Sequence, residues 1–266
     1  MPRLAANLTM LFNEVPFLDR FAAAARAGFT GVEFLFPYNH PPEDVAEAAE
    51  AAGVQVVLFN MPPGDWAAGE RGLACLADRE TDFVESVERA LIYAQALDCP
   101  TLHLMAGIPP AGRPRAAALD LYAERLAHAA HRAADHGRTL VIEPLNDRDM
   151  PGYLLRTTSE AAEIIARVGA PNLGLQFDLY HAQIMEGDLT MRLRRLAPVI
   201  RHVQIAGVPD RHEPDGGECD PHYLLKVLDD IGYAGWVGCE YRPKAGTLAG
   251  LGWAKPYLSK THGEGA

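Results

Sequence analysis

The chain has 266 residues, 48% of them hydrophobic and 22% charged, with a formal net charge of −11. This is the composition of a globular protein of one large or two small domains, and its sign argues against nucleic-acid binding on bulk charge. No apolar run approaches the roughly 18 residues of a membrane span and no apolar segment precedes a cleavage site at the N-terminus, so the expectation is a cytoplasmic protein without a signal peptide.

In chain order, Leu4-Ala5-Ala6-Asn7 reads as a first short strand. Phe17, Leu18, Phe21, Ala24 and Ala25 then share one helical face, and Gly28 stops that helix. Gly31 to Phe36 is a second strand. Pro41 and Pro42 open a helix that runs through Ala52 to a stop at Gly53. Val54 to Phe59 is nearly all apolar, as a strand covered on both faces is. The connection from Asn60 to Arg79 is long for a compact domain, and such loops are usually lids or binding loops. A helix from Thr81 to Leu97 leads to a fourth strand, Thr101 to Met105. The second half repeats the alternation. A helix from Pro114 to His136 precedes a strand at Thr139–Ile142, and Thr157-Thr158-Ser159-Glu160 is a capping box for a helix through Val168. Leu173 to Phe177 is a sixth strand, followed by a helical stretch to Leu196 and a seventh strand from Ile200 to Val203. A Gly- and Pro-rich loop covers Ala206 to Gly217. A helix from Pro221 to Ile231 precedes an eighth strand, Trp236 to Cys239, and the tail to Ala266 reads as a last helix with a frayed polar end.

Strict alternation of strand and helix means a parallel sheet with right-handed crossovers. Eight such units over residues 1–266, with no break in composition, predict a single (β/α)₈ TIM barrel with its active site at the C-terminal ends of the strands. The alternative, a doubly wound sheet, lacks a GxGxxG or GxxxxGK[ST] run after any strand.

The last four strands share a further feature. They deliver Glu143, Asp178, Gln204 and Glu240, spaced 35, 26 and 36 residues apart. A buried strand has no use for a charge at its end unless something there needs it. In a barrel these four converge on one face, where three carboxylates repel unless a cation sits between them. Oxygen donors alone favour a hard divalent ion such as Mg²⁺ or Mn²⁺. Other polar residues have plainer readings. His128, His131 and His136 lie on one surface helix, His103 ends the fourth strand as a pocket-lining or a structural residue, and alternation turns Cys239 away from the pocket as an inert thiol. Cys75, Cys99 and Cys219 form no CxxC pair with it or each other, as in a reduced cytoplasmic protein.

The chain resembles the hydroxypyruvate isomerase family, within the xylose-isomerase-like barrel superfamily that includes 2-oxo-tetronate isomerases. The resemblance runs through Ala5 to Phe12, Gly31-Val32-Glu33-Phe34, the run Gly64 to Gly72, Ile142-Glu143-Pro144, Asp178-Leu179-Tyr180-His181 and Gly235 to Tyr241. It implies metal ligands at Glu143, Asp178, Gln204 and Glu240, with Glu143 and Glu240 as the acid–base pair. The epimerases of the superfamily have a histidine where Gln204 stands, which favours the isomerase branch. The implied reaction moves a proton between adjacent carbons of a small anionic keto-hydroxy acid through an enediolate. Arg71 and Arg211 are the candidates to meet its carboxylate. His181 is a candidate for a substrate oxygen, Glu70 for orienting Arg71 or touching substrate, and Trp66 for closing the pocket. Barrels of this superfamily often associate, so a homo-oligomer is an expectation. A ketose 3-epimerase on the same barrel is the second reading. A metal-dependent phosphodiesterase or endonuclease is a third, against which stand the charge and the single ligand set. A non-catalytic sugar-binding role leaves the paired glutamates unexplained.

Overall fold

A computed structural model describes residues 2–259. Eight parallel strands close a barrel in chain order. They are β1 (Arg3–Asn7), β2 (Gly31–Phe34), β3 (Gln55–Asn60), β4 (Thr101–His103), β5 (Thr139–Ile142), β6 (Leu173–Asp178), β7 (Ile200–Ile205) and β8 (Trp236–Cys239). Closure is the pairing of β8 with β1, Arg3 to Ala6 against Trp236 to Cys239. Around the barrel run α1 (Asp19–Arg26), α2 (Pro42–Ala52), α3 (Glu80–Ala96), α4 (Arg115–Asp135), α5 (Thr158–Val168), α6 (Leu179–Met185), α7 (Leu189–Leu196) and α8 (Pro221–Asp230). Among the described residues no helix is long and apolar enough to cross a membrane.

Strand pairing separates the inside of the barrel from its jacket. Ala6 pairs with Cys239, and both belong to the large core between strands and helices. Ala5 pairs with Gly238 and sits in a small cluster of Ala5, Val57, Leu58 and Val141, capped by Trp236. Alternate residues of each strand therefore point inward, into a narrow space whose floor is apolar. Cys239 faces the jacket, fully buried, and burial pushes its thiol pKa up. That is the setting of an inert thiol, on the side to which alternation assigned it.

Several elements differ from the sequence reading. The helical stretch after the sixth strand is two helices, α6 and α7, because Gly187 (φ +64°) and Asp188 (φ +50°) are successive left-handed residues that no α-helix accommodates. The tail forms 3₁₀ turns over Leu248–Tyr257 instead of an α-helix, with Pro256 inside and unable to donate to an α ladder. The expected frayed end beyond Ser259 lies outside the described residues. Strands β2 and β4 end earlier than expected, at Phe34 and His103. At α5 the Thr157 hydroxyl accepts from the Glu160 N–H at 3.1 Å, but the Glu160 carboxylate accepts from the Arg156 N–H instead of closing the box on Thr157.

The long connection after β3 is mostly tied down. Leu73, Ala74 and Cys75 are buried. Arg125 of α4 reaches in to donate to the carbonyls of Leu73 (2.6 Å) and Leu76 (2.7 Å). Gly72 (φ +122°) lies so close to the loop after β4 that a Cβ there would come within 2.4 Å of the Met105 carbonyl oxygen. Only the tip around residues 64–71 stands out, and it carries Trp66, Glu70 and Arg71.

Candidate active site

Glu143 follows β5, Asp178 ends β6, Gln204 lies in the last turn of β7 before the loop, and Glu240 follows β8. All four are buried, with 2–7% of their surface exposed. They lie at the C-terminal mouth of the barrel, with Asp178 and Gln204 in direct register. Strand β6 runs into α6 without a loop, so Asp178 also caps that helix. Its Oδ1 accepts from the Tyr180 N–H at 2.7 Å.

The cap leaves Asp178 Oδ2 without a hydrogen-bond donor, and Glu143 Oε1 has none either. Buried carboxylate oxygens without donors are costly. The strain shows in their acidities. Burial pushes Glu143 well above the usual carboxylate range, and the nearby Glu240 and Asp178 push it further. Asp178 is raised by burial against the opposing pull of Arg211 and two backbone N–H groups. Burial brings Glu240 to about 7, with Arg211 opposing.

Donor atoms of Glu143, Asp178 and His181 lie within 4.8 Å of one another. His181 is nevertheless a poor ligand. Its Nδ1 faces the Asn146 backbone N–H at 3.1 Å, and a backbone N–H only donates. Burial, with Arg211 beside it, holds the ring pKa down, so the ring is neutral with its proton on Nε2. That nitrogen lies 3.5 Å from Asp178 Oδ2. His181 therefore presents a donor to whatever sits over Asp178. The oxygen donors of this group are those of Glu143 and Asp178, the kind that suits a hard cation, while Glu240 lies outside it with its carboxylate on Arg211.

Arg211 comes in from the loop after β7 with left-handed backbone (φ +57°). It lies over the Tyr180 ring, 2.5 Å from Glu240 Oε2, 3.6 Å from Asp178 Oδ2 and 3.9 Å from Asp149 Oδ2. Burial alone would lower its pKa, but Glu240, Asp178 and Glu143 outweigh that and hold it charged. His103 ends β4 with neither ring nitrogen hydrogen-bonded and Nδ1 3.7 Å from Glu143 Oε2. Burial, with His202 near, takes its pKa down to about 3, so it is neutral.

The tip of the long loop holds itself together. Arg71 stacks on Trp66, 3.9 Å from the ring, and donates to the carbonyls of Trp66 and Glu70. Trp66 packs on Phe36. Glu70 accepts from the Asp65 N–H and pairs with Arg79. These three residues form a preassembled loop and not part of the carboxylate cluster.

Sequence reasoning missed the layer beneath the cluster. Glu33 of β2 is completely buried and accepts from Asn7 Nδ2 (2.9 Å) and Gln204 Nε2 (2.7 Å), with His202 Nε2 at 2.6 Å. Gln176 donates to the other end of Gln204, at 2.7 Å. The signal was present, since Glu33 is a charge inside a strand buried on both faces, the same anomaly that marks Glu143.

Residues 21–257 match the model of the xylose isomerase-like TIM barrel family. The chain belongs to that family. Within it the chain is 56% identical over 260 residues to a 2-oxo-tetronate isomerase of Cupriavidus necator, covering 98% of this chain and all of the relative. It is 44% identical over 257 residues to the hydroxypyruvate isomerase of Escherichia coli, covering 97% and 100%. This family member is thus an isomerase of the kind those relatives are named for. A Brucella melitensis chain described as an AP endonuclease of family 2 superposes with a TM-score of 0.95 at 53% identity, covering 97% of this chain and 100% of that one. The D-psicose 3-epimerase of Clostridium cellulolyticum, at 16% identity and a TM-score of 0.79, shares the fold.

Proposed function

We propose that the protein interconverts a small 2-keto-hydroxy acid with its isomer, hydroxypyruvate with tartronate semialdehyde or 2-oxo-tetronate with 3-oxo-tetronate. We place one divalent ion, Mg²⁺ or Mn²⁺, on Glu143, Asp178, Gln204 and Glu240. The observation that carries this reading is the pair of buried, donorless oxygens Glu143 Oε1 and Asp178 Oδ2 at the barrel mouth. When bound, the ion would polarise the substrate carbonyl and stabilise negative charge on the two substrate oxygens.

The protein's own residues would do the rest. One of Glu143 and Glu240 takes the proton from the carbon beside the carbonyl, and the other returns one to the former carbonyl carbon. The hydroxyl proton passes to the former carbonyl oxygen, so the atoms balance and no redox partner is required. A carboxyl group raised toward neutrality serves as acid or base at cellular pH, as both glutamates are. His181 Nε2–H donates to a substrate oxygen over Asp178. Arg211 is the cation nearest the cluster and the first choice for the substrate carboxylate. The tip carrying Trp66, Glu70 and Arg71 would cover the mouth and exclude water. The relatives' names support the substrate class. The endonuclease description of the Brucella melitensis chain has less support here. Among the described residues one metal-sized donor group occurs, and the chain carries −11.

The test is proton NMR in D₂O with EDTA-stripped protein reloaded with Mg²⁺ or Mn²⁺. Ion-dependent deuterium incorporation into hydroxypyruvate or 2-oxo-tetronate is expected, falling at least about 100-fold in Glu143→Gln and Glu240→Gln. Turnover of a neutral ketohexose alone would make the protein an epimerase. No exchange with ion bound would end the enediolate mechanism.

A further inference from the structure

The layer beneath the cluster has an internal logic of polarity. A carboxylate accepts hydrogen bonds and donates none. Glu33, with no surface exposed, therefore obliges each of its three partners to turn a donor toward it. For Gln204 this sets the amide nitrogen down, on Glu33 at 2.7 Å, and the amide oxygen away from it. For Asn7 it sets the amide nitrogen toward Glu33, from where the same group also reaches Glu240 Oε1 at 3.4 Å, while the Asn7 oxygen accepts from the Thr9 N–H at 3.1 Å. An amide side chain is otherwise nearly symmetric in shape, so nothing but its partners decides which end is oxygen.

Space for this carboxylate is also built in. Gly238, directly in register with Gln204, leaves room that a Cβ would fill at 2.3 Å from both Glu33 oxygens. A fully buried charge that receives three hydrogen bonds and a dedicated glycine is far too expensive to be filler.

We infer that Glu33 is a positioning residue for the proposed ion site: it fixes the Gln204 amide with its oxygen turned away from the Glu33 carboxylate and orients Asn7 as a donor to Glu240. The inference rests on the reading of Gln204 as an ion ligand given above. It adds a residue that touches neither ion nor substrate but sets the polarity of Gln204, a proposed ligand, and of Asn7, which bonds the proposed ligand Glu240. Gln176 completes the arrangement by donating to the Gln204 oxygen at 2.7 Å, which leaves that oxygen a second lone pair.

The experiment measures Mn²⁺ affinity of stripped protein by the electron paramagnetic resonance of free Mn²⁺, with folding followed by circular dichroism. Glu33→Gln removes the obligation to donate, because its amide can also offer hydrogens to the Gln204 oxygen. Its Mn²⁺ Kd should rise tenfold or more, the usual consequence of losing a partner that orients a ligand. The paired variant E33Q/Q204E restores a fixed polarity, since a carboxylate at 204 can only accept from the new amide. It should recover Mn²⁺ binding to within about threefold of the natural protein and bind more tightly than Gln204→Glu alone, in which two carboxylates face each other, a difference that the added charge at 204 would not produce. Folded E33Q with unchanged Kd overturns the inference, as does a folded paired variant that fails to bind. Should E33Q not fold, the paired variant decides by the same criterion. Absence of Mn²⁺ binding in the natural protein would instead overturn the ion site itself, so the two failures are distinct.

Discussion

Removing the proposed divalent ion should leave the protein less stable as pH rises, with Glu240 as one cause. Burial brings its pKa from an ordinary 4.5 to about 7. Between those values the folded chain holds a proton that the unfolded chain has released. Stability is therefore greatest below about pH 4.5 as far as this group is concerned, and it is lost as pH rises through 7. The gap between 4.5 and about 7 corresponds to about 3 kcal/mol, at about 1.4 kcal/mol per tenfold change in acidity. Glu143, raised by burial and by Glu240, acts with the same sign. For a chain of this size about 1 kcal/mol moves Tm by about 2–4 °C, so the loss should approach about 6–12 °C. Differential scanning calorimetry of EDTA-treated protein between pH 5 and 8 measures it, with Glu240→Gln as reference to cancel the titration of histidines elsewhere. Mn²⁺ should restore stability, increasingly so at higher pH, because the ion replaces protons. An ion-free Tm that does not fall relative to Glu240→Gln over this range would refute the assignment of a buried, proton-holding carboxyl at 240.

Two further perturbations test the packing that supports the site. Gly238→Ala drives a methyl to 2.3 Å from the Glu33 oxygens, and urea unfolding should show a loss of about 1–3 kcal/mol; a change under about 0.5 kcal/mol would mean that Glu33 has room to move. Thr157→Ala removes the oxygen that caps α5 and should cost about 1 kcal/mol without altering deuterium exchange into substrate.

The barrel was legible because its signals are repeated and local. Each strand is a short apolar run, each helix has a stop such as Gly53 or Gly169, and the alternation leaves few topologies. Strand-end carboxylates were legible for the same reason, since a charge after Val141-Ile142 or Leu175-Gln176-Phe177 breaks the local pattern. What escaped depends on contacts across the barrel. Glu33 sits next to Gln204 although 171 residues separate them. No periodicity encodes that neighbour. Arg211 was legible as a candidate for an anionic substrate, but its neighbours Glu240, Asp178 and Asp149 were not, a matter of three-dimensional charge that spacing does not convey. The division of the helical stretch at Gly187-Asp188 turned on two backbone angles.

The closing pair of strands has a consequence for the order in which the molecule can become competent. Strand β1 finds its second partner in β8, so the first strand to leave the ribosome waits for almost the whole chain before its free edge is covered. Glu240 follows β8 by a single residue step, and its carboxylate reaches Asn7 and Arg211 as that edge is sealed. Sealing of the barrel and completion of the proposed donor set are thus one event. A nascent or truncated chain lacking the last strand would carry Glu143 and Asp178 but not the whole of the proposed cage, and its β1 edge would still be exposed.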